Sequence, residues 1–132
     1  MILAVDPGRE KCGLAMLEPD GRVLWHRIVT RSDLEAEVAT LGTDPAVEAI
    51  VVGSGTSSGP LVTLLSKACG GDRVRVVDET NSTLDARALY FEDNPPRGLW
   101  SLLPRSLLCP PVPIDDYAAI VLGQRFLKER TR

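Results

Sequence analysis

The stretch that decides the fold is ILAVDPGREKCGLAML, residues 2–17. An aliphatic run ends at Asp6, the chain turns through Pro7 and Gly8, and a second apolar run begins at Lys11. Short apolar runs bounded by Pro and Gly are typical of buried strands joined by a tight turn. We therefore expect two neighbouring strands, with the carboxylate of Asp6 at the end of the first.

The remainder of the chain supplies three more strand patterns and four helix patterns. The predicted strands are Ile2–Asp6, Lys11–Glu18, Arg22–Val29, Glu48–Gly53 and Arg73–Asp78. Helical spacing of apolar residues predicts helices from Thr30 or Ser32 to Gly42, from Pro60 to about residue 69, from Ser82 to about Glu92 and from Asp115 to about Glu129. Three strands with tight turns followed by βα units predict an α/β fold. Its mixed five-stranded sheet would combine an antiparallel meander with two parallel strands, covered by helices on both faces.

Length and composition predict one domain, residues 1–132, of a soluble globular protein. The chain is 44% hydrophobic and 25% charged, and no apolar run reaches the length of a membrane span. The three cysteines are far apart and fit neither a disulfide framework nor a zinc site. We expect a cytoplasmic protein with free thiols and no membrane partner. The one histidine, His26, follows Trp25 in a strand pattern, and we predict a structural role for it.

The charge of the chain is unevenly distributed. The net charge is −3, yet residues 97–132 carry 6 Lys and Arg against 3 Asp and Glu. A negative net charge argues against non-specific coating of nucleic acid. Such a protein could still engage a phosphate backbone if metal ions neutralise the carboxylates of its site.

Acidic residues fall at the ends of three predicted elements. Asp6 ends the first strand, Asp78 and Glu79 end the fifth, and Asp115 and Asp116 begin the last helix. Taken singly, Asp6 could be a turn former and either aspartate of the pair a helix cap. Taken together, converging carboxylates repel one another unless a cation neutralises them. Oxygen ligands suit Mg²⁺ or Mn²⁺, and a pair of such ions is suited to cleaving phosphodiester bonds.

Two further segments could contact phosphate groups. Arg9 and Lys11 lie just past the first turn. The loop SGTSSG after the fourth strand contains Ser54 and Thr56 and leads into a helix, so its backbone could contact substrate. It is not a P-loop, because no G-x-x-x-x-G-K-[ST] pattern is present, and a flexible linker is the alternative.

At this point the sequence resembles a known family, the YqgF or RuvX nucleases of the ribonuclease H-like superfamily, which are related to the RuvC Holliday junction resolvases. The resemblance is carried by ILAVDPGREKCGLAML, AIVVG, VVDETNSTLDA and IDDYAAIVLGQRFL, in that order along the chain. It implies a ribonuclease H-like fold and metal ligation by Asp6, Glu79 and Asp115. Spacing to Ala118 favours Asp115, with Asp116 as the reserve ligand.

The resemblance also implies a biological role. Maturation of precursor ribosomal RNA is the first expectation for a metal-dependent nuclease of this kind, and cleavage of Holliday junction DNA, which would need a homodimer, is the second. Two alternatives remain open. The protein could be a non-catalytic member that only binds nucleic acid or another protein. Alternatively, the pattern Asp6-x-Gly8 followed by Gly13 could be the phosphate-binding hairpin of actin-like and sugar-kinase-like nucleotide binders.

Overall fold

Five strands form one mixed sheet in the computed structural model, which describes residues 1–55, 58–104 and 108–130. The strands are β1 (Ile2–Asp6), β2 (Lys11–Leu17), β3 (Val23–Thr30), β4 (Ala49–Gly53) and β5 (Val74–Val77). The spatial order is β3-β2-β1-β4-β5; β1–β2 and β2–β3 are antiparallel, and β1–β4 and β4–β5 are parallel. The predicted meander and parallel set are confirmed, and β5 is shorter at both ends than the run Arg73–Asp78.

Four helices cover the two faces of this sheet. They are α1 (Arg31–Gly42), α2 (Ser58–Cys69), α3 (Ser82–Asp93) and α4 (Asp115–Arg130), and a short 3-10 helix spans Gly98–Leu102 before α4. Helix α2 begins two residues before Pro60, the predicted start. In the ranges that the structure describes, no helix combines the length and apolar character needed to cross a membrane.

The side chains of β1 divide between two hydrophobic cores because successive residues of a strand point to opposite faces. Leu3 and Val5 pack with residues of α1 and α2, whereas Ile2 and Ala4 pack with residues of α3 and α4. Strands β1 and β4 are buried on both faces, which explains their continuous apolar sequences. Asp6 continues the Ile2 and Ala4 side of β1, so it lies on the face that α4 covers.

Helix α3 begins at Ser82, as predicted, but its start lacks the cap that the local sequence pattern indicates. The pattern from Ser82 to Asp85 is typical of a capping box, in which the acidic side chain bonds to the backbone at the helix start. Instead, Asn81 precedes the helix with a left-handed backbone, φ 61°, and makes no side-chain cap bond. The Asp85 carboxylate accepts a hydrogen bond from Arg125 of α4 at 2.8 Å. A tertiary ion pair between two helices therefore replaces the predicted local cap.

Candidate metal centre

Strand register places the carboxyl ends of three strands side by side. Val5 pairs with Val52, and Gly53 pairs with Val77, so Asp6, Gly53 and Val77 lie level along β1, β4 and β5. Because the three strands are parallel, the residues that follow them emerge at the same edge of the sheet. The chain after Val77 continues through Asp78 to Glu79, so Glu79 reaches the edge at which Asp6 lies.

Gly13 admits the first residue of α4 to this edge. In the β1–β2 ladder Asp6 lies directly opposite Gly13. A Cβ atom at Gly13 would overlap the backbone carbonyl of Asp115. The absence of a side chain therefore lets the start of α4 pack on β2 beside Asp6, which is how a residue more than 100 positions away reaches the site.

Glycines on the other side of Asp6 make room for Glu79. A Cβ at Gly53 would lie 2.6 Å from Oε2 of Glu79, and a Cβ at Gly55 would lie closer still to Oε1. The Glu79 side chain thus lies over the end of β4, the strand next to Asp6. The three predicted ligands Asp6, Glu79 and Asp115 are brought to one edge, where Gly13 makes room for Asp115 and Gly53 and Gly55 make room for Glu79.

The pKa of Asp6 reflects the proximity of the other two carboxylates. Burial, followed by the charges of Glu79 and Asp115, raises the pKa of Asp6 from 3.8 to about 7. Burial also raises the pKa of Asp115; the charge of Asp116 adds to that rise and the charge of Lys11 opposes it. In the metal-free protein the negative charge of the site is therefore poorly compensated.

Asp116, the reserve ligand, makes a different contact. Its Oδ2 atom lies 2.7 Å from Nδ1 of His26 on β3, and its side chain is 14% exposed. The His26 ring also packs on Tyr117, with 4.9 Å between ring centroids. Asp116 is thus directed toward β3, the outer strand of the meander, and its contact with His26 anchors the start of α4 there.

The donor set at this edge fits a hard divalent cation in its chemistry. All three candidate ligands are carboxylates, the ligand type that Mg²⁺ and Mn²⁺ prefer, and the raised pKa of Asp6 shows a site that a positive charge would stabilise. Within residues 1–55, 58–104 and 108–130, however, no three His, Cys, Asp or Glu side chains are grouped tightly enough to hold a metal ion as they stand. Closure of the carboxylates around an ion would need movement of their side chains.

The candidate phosphate-binding residues have different positions. Arg9 lies exposed in the turn after β1, and Lys11, the first residue of β2, is exposed and close enough to act on the charge of Asp115. The amide of Ser54 donates to the Val77 carbonyl at 3.0 Å, so this amide serves the sheet, although the Ser54 side chain is exposed. Thr56 lies outside the described residues.

The sequence did not predict the role of the glycines around the carboxylates. Gly13, Gly53 and Gly55 read as ordinary strand and loop glycines, and only the tertiary approach of Asp115 and Glu79 shows why a side chain is excluded there. The contact between His26 and Asp116 joins residues 90 positions apart and leaves no local pattern. A glycine in each of two strands flanking a strand-ending carboxylate is the one signal that could have pointed to the site.

Comparison with known proteins defines the class of fold. No protein-family model and no curated protein sequence matches the chain. Solved structures do match: the α/β sheet with its covering helices is a ribonuclease H-like fold, as the sequence predicted.

Two of the solved structures that match are of T. thermophilus RuvC. One is T. thermophilus RuvC in complex with a Holliday junction substrate, with a TM-score of 0.56 and 17% identity over 98% of this chain and 95% of that chain. A second Thermus thermophilus RuvC structure has a TM-score of 0.56 and 15% identity over the same shares. At these identities the similarity establishes the fold alone. A putative sugar kinase from Cytophaga hutchinsonii reaches a TM-score of only 0.46, which lends no support to the kinase-like alternative.

Proposed function

We propose that this protein is a divalent-metal-dependent nuclease that hydrolyses phosphodiester bonds, with residues 1–132 forming one nuclease domain. The observation that carries the proposal is the meeting of Asp6, Glu79 and Asp115 at the carboxyl edge of the sheet, where burial and the other two charges raise the pKa of Asp6 to about 7. A structural cluster of carboxylates would be destabilising without a cation. A bound divalent ion would supply an activated water and stabilise the leaving oxygen of a phosphodiester.

The side chains of the protein would then have distinct roles. Asp6, Glu79 and Asp115 would hold Mg²⁺ or Mn²⁺, and Arg9 and Lys11 would bind phosphate groups of the strand at the same edge. Asp116 would position Asp115 through its contact with His26 and would not bind the ion. Ser54, exposed after β4, is a further candidate for substrate contact through its hydroxyl.

The substrate proposal has two branches. The family resemblance of the sequence to the YqgF or RuvX group favours precursor ribosomal RNA. The superposition on a RuvC structure that holds a Holliday junction favours branched DNA. Junction cleavage needs two symmetric cuts and hence a homodimer. A measurement of the oligomeric state in solution would therefore help to distinguish the two substrates.

The test is a cleavage panel of single-stranded RNA, single-stranded DNA and four-way junctions with Mg²⁺ or Mn²⁺. Asp6→Asn should abolish metal-dependent cleavage while the protein stays folded. The matched control is Asp20→Asn, because Asp20 is an exposed carboxylate in the β2–β3 turn, whose Oδ1 accepts a bond from the Arg22 amide.

Full activity of Asp6→Asn would refute the site. Binding of nucleic acid in EDTA, with no cleavage of any substrate after Mn²⁺ is added, would favour the non-catalytic alternative. A second readout avoids dependence on the substrate chosen: Mn²⁺ should raise the thermal unfolding temperature of the wild type and of Asp20→Asn, but not that of Asp6→Asn.

A further inference from the structure

A pocket of about 650 Å³ lies between the end of α3 and the proline-rich segment before α4. Three aromatic side chains line it, Tyr90 and Phe91 from α3 and Trp100 from the 3-10 helix. The chain has only six Phe, Trp and Tyr residues in all, so half of them meet here. Trp100 is 65% exposed, which leaves much of its surface accessible from outside.

The charge of the pocket differs from that of the chain. Of the described residues that line it, Arg97 is the one charged side chain, and no carboxylate is among them. Asp93 immediately precedes Asn94, which lines the pocket. Its carboxylate accepts a hydrogen bond from the Tyr117 hydroxyl of α4 at 3.0 Å. A protein with a net charge of −3 thus has here an aromatic pocket with a cation at its rim.

One aromatic contact connects the pocket to the start of α4, the helix that begins with Asp115. The ring of Tyr90 packs edge-to-face on Tyr117, with 5.6 Å between centroids. Tyr117 lies in the first turn of α4, two residues after Asp115, and also packs on His26. The wall of the pocket is therefore connected to the start of α4 through Tyr117.

We propose that the pocket binds an unpaired base of the nucleic-acid strand, with Trp100 stacking on the base and Arg97 contacting the adjacent phosphate. Every base has a π-face that an exposed aromatic ring can stack on, and an Arg beside the ring adds attraction to the polyanion. The proposal rests on the proposed function and specifies its substrate: nucleic acid with an unpaired base near the cleavage point. A base inside a duplex has both faces covered and could not enter.

The cation in the lining favours a strand of nucleic acid over an apolar protein partner. The lining of the pocket has a cation and no carboxylate, so its charge is complementary to a phosphate backbone, which carries a negative charge at every nucleotide. Leu99 and Leu102 of the same 3-10 helix are 82% and 79% exposed but do not line the pocket. They provide the control that separates pocket binding from a general apolar surface.

The experiment uses Trp100 as its own probe. In a Trp25→Phe background Trp100 is the only tryptophan of the chain. Fluorescence is titrated in EDTA with a single-stranded oligonucleotide, with an abasic oligonucleotide of equal length, and with a duplex. We expect quenching by the first and little by the other two. In the wild-type background, anisotropy of a labelled strand should show about tenfold weaker binding for Trp100→Ala, near-normal binding for Trp100→Phe and normal binding for Leu99→Ala.

Three outcomes would overturn the proposal. Equal quenching by the normal and abasic strands would show that the pocket does not bind bases. Normal strand affinity of Trp100→Ala would do the same. A change from dimer to monomer in both Trp100→Ala and Leu99→Ala, without loss of strand affinity, would assign the surface to a second copy.

The experiments distinguish a failure of the pocket proposal from a failure of the proposed nuclease function. Metal-dependent cleavage without base-dependent quenching would refute the pocket and leave the nuclease standing. Base-dependent quenching in a protein that cleaves nothing with Mn²⁺ would support the pocket and refute the nuclease. Asp6→Asn should retain the quenching of Trp100 although cleavage is lost, because Asp6 does not line the pocket.

Discussion

Replacement of Asp6 by Asn is expected to stabilise the metal-free protein at neutral pH while abolishing its proposed activity. The physical reason is the surroundings of Asp6. Burial, then the charges of Glu79 and Asp115, raises the pKa of this carboxyl from 3.8 to about 7 in the folded protein. Asn has nearly the same shape and carries no charge at any pH, so it removes the repulsion and the cost of burying a carboxylate.

The sign and size follow from the protons bound in each state. Between about pH 4 and pH 7 the folded protein retains a proton on Asp6 that the unfolded chain has released. The contribution of Asp6 to the free energy of unfolding is therefore highest below about pH 4, falls between pH 4 and pH 7 and is lost above pH 7. A rise in pKa from 3.8 to about 7 corresponds to a loss of up to about 4 kcal/mol. For a chain of this size that corresponds to roughly 15 °C in unfolding temperature.

The assay is urea unfolding followed by circular dichroism, in EDTA, at pH 5 and pH 8. The difference between wild type and Asp6→Asn isolates this group, since other carboxylates contribute to both proteins. The variant should be the more stable by up to about 4 kcal/mol at pH 8 and by less at pH 5. Asp20→Asn should follow the wild type at both pH values. If Asp6→Asn were no more stable than the wild type at pH 8, the raised pKa and the convergence behind it would be wrong.

Two further substitutions test how α4 is positioned. Gly13→Ala should destabilise the fold by about 1–3 kcal/mol and lower cleavage, because its Cβ would overlap the backbone of Asp115; Gly59→Ala, whose Cβ meets nothing within 4 Å, should be neutral or stabilising in the same urea measurement. His26→Ala should cost about 1–3 kcal/mol, because Oδ2 of Asp116 loses its partner while the buried Oδ1 has no partner in the described structure. Adding Asp116→Ala should recover part of that loss, and a purely additive double variant would contradict the coupling.

Much of the fold could be predicted from the local pattern of apolar residues, because strands and helices each have a characteristic spacing of such residues. The continuous apolar sequences of β1 and β4 show strands covered on both faces, and the Pro7 and Gly8 turn sets β2 antiparallel to β1. The predicted cap of α3 was wrong because the capping side chain binds a residue distant in the sequence instead of the backbone at the helix start. Asp85 is spaced for a capping box, but Arg125 of α4 takes its carboxylate, at 2.8 Å.

The candidate site was also predictable only in part from local sequence. The sequence by itself determined that Asp6, Glu79 and an aspartate of the pair at 115 and 116 stand at element ends, since strand ends and helix starts are encoded by neighbouring residues. It could not determine which aspartate turns toward Asp6. Successive residues of a helix point about 100° apart, so that choice depends on the rotation of α4 on the sheet.

Only the tertiary structure decided that rotation. The contact of Asp115 with Gly13 on β2 and the bond between Asp116 and His26 on β3 together set the start of α4. These partners lie about 90 to 100 residues earlier in the chain, and neither contact leaves a trace in the local sequence. Convergence of like charges is a property of packing, and it takes the whole sheet to hold Asp6 where its pKa rises to about 7.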